Sequence, residues 1–293
     1  MERESEKKRA AGAAGPGGAG LFILILAVAL GAAAHRRNSV FLDDVTLWSD
    51  ATAKNASSAR GHYNLGVTYQ RLGRTDDAIG EYKETIGLRP YLADPHLNLG
   101  NAYLKKGLME EAAVEYGAAI TAEPWNASAH YNLGLLHARQ GRTLPAIEEY
   151  REALRLKPGH ARARNHLGTA YLRLGKPGPA AEEYAEAVRL DPGRAEYRYN
   201  LGTAHAMNGS HDEAIRELSE ALRINPDYPE ALTNLGNLYV LTGRTGEAIE
   251  TYEKALRLDP GLKEAHHNLG LLYAEKGLTD EADKKALEEL KDR

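Results

Sequence analysis

Asn98-Leu99-Gly100-Asn101-Ala102-Tyr103, followed by Gly107-Leu108-Met109-Glu110-Glu111-Ala112 and then by Tyr116 and Pro124, decides the fold. Its Leu-Gly pair recurs at Leu65-Gly66, Leu133-Gly134, Leu167-Gly168, Leu201-Gly202, Leu235-Gly236 and Leu269-Gly270, always 34 residues apart. A constant period of this length with this pattern is the mark of helix–turn–helix units, each of which buries its apolar face only against its neighbours.

The invariant positions each have a physical reason. Gly73, Gly107, Gly141, Gly175, Gly209, Gly243 and Gly277 fall where the first helix of each unit, helix A, must stop. Glycine closes a helix by taking positive φ. Acids or proline then open helix B: Asp76-Asp77, Glu110-Glu111, Pro145, Pro179, Asp212-Glu213, Glu247 and Asp280-Glu281. Acids suit the positive end of the helix and proline suits its first turn. Ala78, Ala112, Ala146, Ala180, Ala214, Ala248 and Ala282 follow, small enough to let the two helices approach. Tyr82, Tyr116, Tyr150, Tyr184 and Tyr252 fill the space on helix B, with Leu218 in one unit. Pro90, Pro124, Pro158, Pro192, Pro226 and Pro260 end each unit.

This pattern resembles the tetratricopeptide repeat family over residues 59–293. The resemblance implies an all-α fold, a right-handed superhelical solenoid, with repeats at 59–92, 93–126, 127–160, 161–194, 195–228, 229–262 and 263–293. Leu47-Trp48-Ser49-Asp50-Ala51 falls in the register of a helix B with no helix A before it. Residues 42–58 are therefore expected to form a capping half-repeat, and the charged tail of the last unit to form a cap at the other end.

The amino-terminal region has a different composition. No charge occurs over the 25 residues from Ala10 to Ala34, whose most apolar part is Leu21 to Leu30. That length suffices for a helix across a bilayer, so residues 17–35 are expected to be a transmembrane helix after a cytoplasmic segment, 1–16, and before a linker, 36–41. A cleaved signal peptide is the alternative, with Ala32-Ala33-Ala34 as a cleavage site. The acids Glu2, Glu4 and Glu6 before the segment, and Arg36-Arg37 after it, favour a retained anchor. Arg3, Lys7, Lys8 and Arg9 outnumber Arg36 and Arg37, which places the amino terminus inside. The repeats would then lie outside the cytoplasm, in the periplasm of a bacterium. Arg37-Asn38, Leu47-Trp48 and Ala59-Arg60 look like the junction at which certain bacterial multi-span membrane proteins, related to sugar-transferring enzymes, lead into external repeats of this family. That likeness implies a substrate-selecting accessory domain of such a glycosyltransferase system as the alternative role.

Composition narrows the chemistry. The formal net charge of −4 offers no bulk attraction for nucleic acid. The absence of cysteine removes disulfides, thiol catalysis and thiolate metal sites. No P-loop, dinucleotide turn, nucleophile elbow or His-Glu-x-x-His motif occurs. No catalytic residue, cofactor or metal site is assigned, and the expected role is a non-enzymatic scaffold. His62, His96, His130 and His266 repeat once per unit, too far apart for shared chelation.

The candidate binding residues lie on helix A. The residue before each Leu-Gly is Asn64, Asn98, Asn132, His166, Asn200, Asn234 or Asn268. Stacked units turn these positions into a ladder along the inner groove. An amide has both donor and acceptor and grips peptide backbone without reading side chains; packing against the neighbouring helix is the competing role. The ladder is similar to that of the repeats of O-linked N-acetylglucosamine transferase, which implies an extended peptide as ligand. Two turns on, the same face carries Arg71, Lys105, Arg139 and Arg173, then Met207, Leu241 and Glu275. Cations here suit acidic segments of a partner. The expected function is a membrane-anchored scaffold that binds a protein partner, as an extended peptide or a helix, in its concave groove. Protease added to spheroplasts is expected to remove the repeats. Protection of the repeats would reverse the orientation, and a mature amino terminus at His35 would replace the anchor with a signal peptide.

Overall fold

The computed structural model describes residues 44–277. The segments 1–16, 17–35 and 36–41 and the carboxy-terminal cap after 277 lie outside the described residues. Among the described residues there are fourteen α-helices and no strand, and no helix is long and apolar enough to cross a membrane. The chain divides into two compact units, Met1–Ala122 and Glu123–Arg293.

In the first unit, a helix over 44–54 (α1) precedes α2 (Ala59–Arg71), α3 (Thr75–Leu88), α4 (Ala93–Lys105) and α5 (Met109–Ala122). The second unit contains α6 (Ala127–Arg139), α7 (Thr143–Leu156), α8 (Ala161–Arg173), α9 (Pro177–Leu190), α10 (Ala195–Met207), α11 (His211–Ile224), α12 (Pro229–Leu241), α13 (Thr245–Leu258) and α14 (Lys263–Glu275). Within each unit every helix from α2 on packs on the next. In the second unit the A helices α6, α8, α10, α12 and α14 also touch one another in sequence, and the B helices have no comparable contacts. The A helices therefore line the inner side of this solenoid.

Local chemistry sets the boundaries. All seven turn glycines have positive φ, as their position predicts; Gly141, at +74°, lets Arg142 N–H donate back to the His137 carbonyl at 2.8 Å. Helix α9 begins at Pro177 rather than beside Pro179, since proline is best tolerated at the first helical position. Asn126 accepts from the Ala129 amide and so caps α6. In the expected half-repeat, Thr52 of α1 faces α2: its methyl lies 3.0 Å from where a Cβ on Gly61 would stand.

The contact that sets the spacing of helices A and B is that between glycine and tyrosine. A Cβ on Gly134 would lie 2.8 Å from Cδ1 and Cε1 of Tyr150 and 3.3 Å from the Ala146 carbonyl. Ala146 and Tyr150 are both buried. Where Leu218 replaces tyrosine, its Cγ would meet a Cβ on Gly202 at 2.8 Å, so leucine fills the same slot. Gly134→Ala is expected to lower stability by about 1–3 kcal/mol through overpacking. Gly159→Ala, where nothing lies within 4 Å of the new methyl, is expected to leave thermal melting unchanged. Equal melting of the two variants would refute this account of helix spacing.

Candidate functional site: the helix A groove

Helix A places the amide ladder at partly buried positions and keeps most of its N–H groups inside the protein. In the first unit Asn98 Nδ2 donates to Tyr63 Oη at 3.1 Å, across one repeat. In the second, Asn200 Nδ2 donates to Asn165 Oδ1 at 2.8 Å, and Asn234 Nδ2 to Tyr199 Oη and Thr203 Oγ1, each at 3.3 Å. Asn268 Nδ2 donates to Asn237 Oδ1 at 2.8 Å and to Tyr252 Oη at 3.3 Å. The ladder thus fastens the second, fifth, sixth and seventh repeats each to the one before it, which the sequence offered only as the competing role. Among the described residues the Oδ1 atoms of Asn98, Asn200, Asn234 and Asn268 receive no protein donor, and the last three form a row of carbonyl acceptors within the second unit. Asn64 and Asn132 hold the equivalent places on α2 and α6, each partly buried. His166 takes the place on α8, its ring 6.0 Å from that of Tyr150 and nearly parallel to it.

The second stripe is exposed. Arg71 and Lys105 end α2 and α4 in the first unit, and Arg139 and Arg173 end α6 and α8 in the second. Further along the second unit the stripe carries Met207 and Leu241 and ends in the exposed Glu275; Met207, Leu241 and the neighbouring Leu271 are exposed by 57%, 67% and 58%. Arg139 and Arg173 share a recess of about 310 Å³ lined also by Leu135, Tyr150, His166 and Thr169.

The histidines have a structural role. His62 pairs with Glu81, His96 with Glu115 and His130 with Glu149, at 2.6–2.7 Å. Each also places Nε2 beside a backbone carbonyl of the turn before it: Ala56, Pro90 and Pro124 respectively. Arg164 and Arg198 make the same pair with Glu183 and Glu217, at 2.7 Å. Each of these pairs ties helix A to helix B of its own repeat across 19 residues. The sequence reading missed them. The signal was present within the chain, because Leu232 replaces the cation where Thr251 replaces the glutamate. Among the described residues no three His, Asp or Glu side chains converge as metal ligands.

Helix pairs stacked in series, with asparagine amides along their inner side, define a helical-repeat scaffold among the described residues. The chain belongs to the tetratricopeptide repeat family: profiles described as tetratricopeptide repeat match residues 59–79, 127–160, 165–229 and 218–250, and profiles described as TPR repeat match 71–107, 100–141 and 236–277. No protein of curated function matches it. Among solved structures, MamA is 34% identical over 55% of this chain and 94% of its own, with a TM-score of 0.53. YrrB, described as a TPR protein with an unusual peptide-binding site, is 24% identical over 64% of this chain and 96% of its own, with a TM-score of 0.59. PilF of Pseudomonas aeruginosa is 22% identical over 71% and 94%, with a TM-score of 0.62. The last two likenesses establish the fold alone.

The His96–Glu115 pair has a measurable pH signature. The hydrogen bond that His96 Nδ1 donates to Glu115 holds the His96 pKa above its usual value, against burial and with help from the Pro90 carbonyl. A raised folded-state pKa stabilises the fold below the unfolded value, about 6.5, and that contribution disappears as pH rises through the folded one. The stability difference between the wild type and His96→Gln is expected to be largest in mild acid and to shrink as pH rises past neutrality. A difference independent of pH in urea titrations would remove the ion pair from this account.

Proposed function

We propose that the protein is a non-enzymatic scaffold that holds an extended peptide segment of a partner protein along the helix A groove of its second unit. The reading rests on the row of amide carbonyls at Asn200, Asn234 and Asn268, each fixed by its own N–H group and each without a donor among the described residues. Backbone N–H groups of an extended chain are the complementary donors. The graded stripe from Arg139 and Arg173 to Leu241 and Leu271 supplies direction, with acidic residues of the peptide toward the basic end. The peptide-binding site described for YrrB agrees with this use of the fold. The uncharged run from Ala10 to Ala34 supports a retained membrane anchor with the repeats in the periplasm.

Peptides selected from a displayed random library on the full-length chain supply the test. Replacing the groove-facing backbone N–H of a selected peptide by N-methyl is expected to weaken binding about two- to tenfold per hydrogen bond. Asn200→Ala with Asn234→Ala is expected to weaken it while leaving helicity intact. Selected peptides that tolerate both changes would place the contact on the B helices and make the ladder structural only.

A further inference from the structure

Helix α6 ends on Arg139, α7 begins at Thr143 and α8 ends on Arg173, and the three ends line one recess of about 310 Å³. Hydrogen-bond donors reach it from all three helices: Arg139 from α6, Thr143 and Tyr150 from α7, His166 and Arg173 from α8. The protein uses little of this capacity. Arg139 has no ion-pair partner among the described residues, and Arg173 has only Nη1 engaged, donating to the Ala138 carbonyl at 2.9 Å. Tyr150 is 1% exposed, and no hydrogen bond to its phenol exists among the described residues. Elsewhere helix A takes up the hydroxyl of this ring: Tyr116 donates to Asn101 at 2.8 Å, Tyr252 donates to Asn237, and Tyr184 Oη lies 2.9 Å from Thr169 Oγ1. The third repeat has Leu135 at that place, which offers no acceptor. Burying a phenol without a partner is unfavourable, and an incoming acceptor relieves it.

The charge of the recess is one-sided. No carboxylate lines it, so both guanidiniums stand uncompensated there. Thr143 is the first residue of α7 and brings the positive end of that helix to the same wall. Burial drives the Tyr150 phenol well above its ordinary pKa, and Arg173 and Arg139 only partly oppose this, so the group is a protonated donor at neutral pH. Burial, then the charges of Arg162, His160 and Arg139, lowers the His166 pKa, which leaves a neutral imidazole with a single N–H. Thr169 also lines the recess, but its hydroxyl is already held, donating to the Asn165 carbonyl at 3.1 Å.

The number of donors and their charge select the ligand. A carboxylate carries one charge on two oxygens, which a single guanidinium fork satisfies; the other guanidinium, Tyr150 and Thr143 would stay unpaired. A phosphoryl group carries up to two charges on three acceptor oxygens, enough for both guanidiniums, the phenol and the hydroxyl together. Leu135, Ala138, Ala146 and Ala170 complete the wall and keep water from one side, which strengthens the ionic contacts. We propose that the recess between the third and fourth repeats is a phosphate site, in which Arg139, Arg173, Tyr150 and Thr143 hold the phosphoryl group of a small ligand, either free phosphate or a small phosphate monoester. The site is independent of the carbonyl row at Asn200, Asn234 and Asn268, which belongs to the fifth to seventh repeats. Tyr150 is its specificity residue, because the same ring in the other repeats turns its hydroxyl to the protein itself.

Calorimetric titration of the full-length chain with inorganic phosphate, glycerol phosphate and acetate at constant ionic strength supplies the test. It is run at about pH 8, where the phosphoryl group carries both charges. Phosphate, the ester or both are expected to bind about tenfold or more tightly than acetate, and the stronger of the two identifies the source. Arg139→Gln with Arg173→Gln is expected to abolish this binding in a fold unchanged by circular dichroism. Tyr150→Phe and Thr143→Ala are each expected to weaken it about two- to tenfold. Tyr150→Phe does so without lowering the melting temperature, since its phenol has no partner to lose. Tyr116→Phe, which loses its bond to Asn101, lowers the melting temperature and leaves phosphate binding unchanged. Acetate bound as tightly as phosphate and the ester overturns the site, and so does phosphate binding that survives loss of both arginines. Failure of phosphate and the ester to bind also overturns it and leaves the peptide groove standing. A phosphoserine decapeptide pool that binds where neither small ligand does overturns the assignment to a small ligand.

Discussion

Everything in these repeats depends on the absence of one methyl group. Glycine on helix A brings the backbone so close to the tyrosine of helix B that a Cβ would penetrate the ring, at 2.6 Å in the case of Gly100 and Tyr116. Close approach of this kind buries nearly the whole aromatic ring, and burial of a side chain of that size is worth roughly 1.5–3 kcal/mol. Because the contact recurs every 34 residues, it fixes the pitch of one helix against the next. The groove is a consequence: with helix A held inward by its glycine, the same face of helix A is presented repeat after repeat.

A second set of ties holds this frame in register. The His–Glu and Arg–Glu pairs clamp helices A and B at their partly buried edge, and the amide ladder fastens one helix A to the next. Partly buried pairs of this kind are favourable only with satisfied geometry, which the histidines achieve by using both ring nitrogens. One consequence is functional. A ladder whose N–H groups are already engaged presents its carbonyls in fixed directions, and an acceptor held in place loses less entropy on binding than a free side chain. Structural use and binding use of the same asparagine are therefore compatible, because an amide has two ends.

The variable positions carry the individuality of the chain. Repeats that differ at one helix A residue differ in what the buried tyrosine does with its hydroxyl. Asn101, Thr169 and Asn237 keep it for the fold; Leu135 releases it to the groove. The stripe from arginine to leucine varies in the same way, since its exposed residues contribute little to packing.

The sequence by itself determined the repeat and the points at which glycine and proline interrupt its helices. These depend on local steric rules for glycine, proline and small residues, and those rules apply wherever the residues occur. It also contained the cation–glutamate pairs as joint changes between repeats, visible where Leu232 and Thr251 depart together, although spacing alone could not show that positions 19 apart meet. Only the tertiary structure decided which end of each asparagine amide faces the protein, that Arg139 and Arg173 share one recess, and that the Tyr150 phenol opens into it. Those facts depend on how side chains from different helices converge, and a hydrogen bond is made or lost within a few tenths of an ångström that no periodicity encodes.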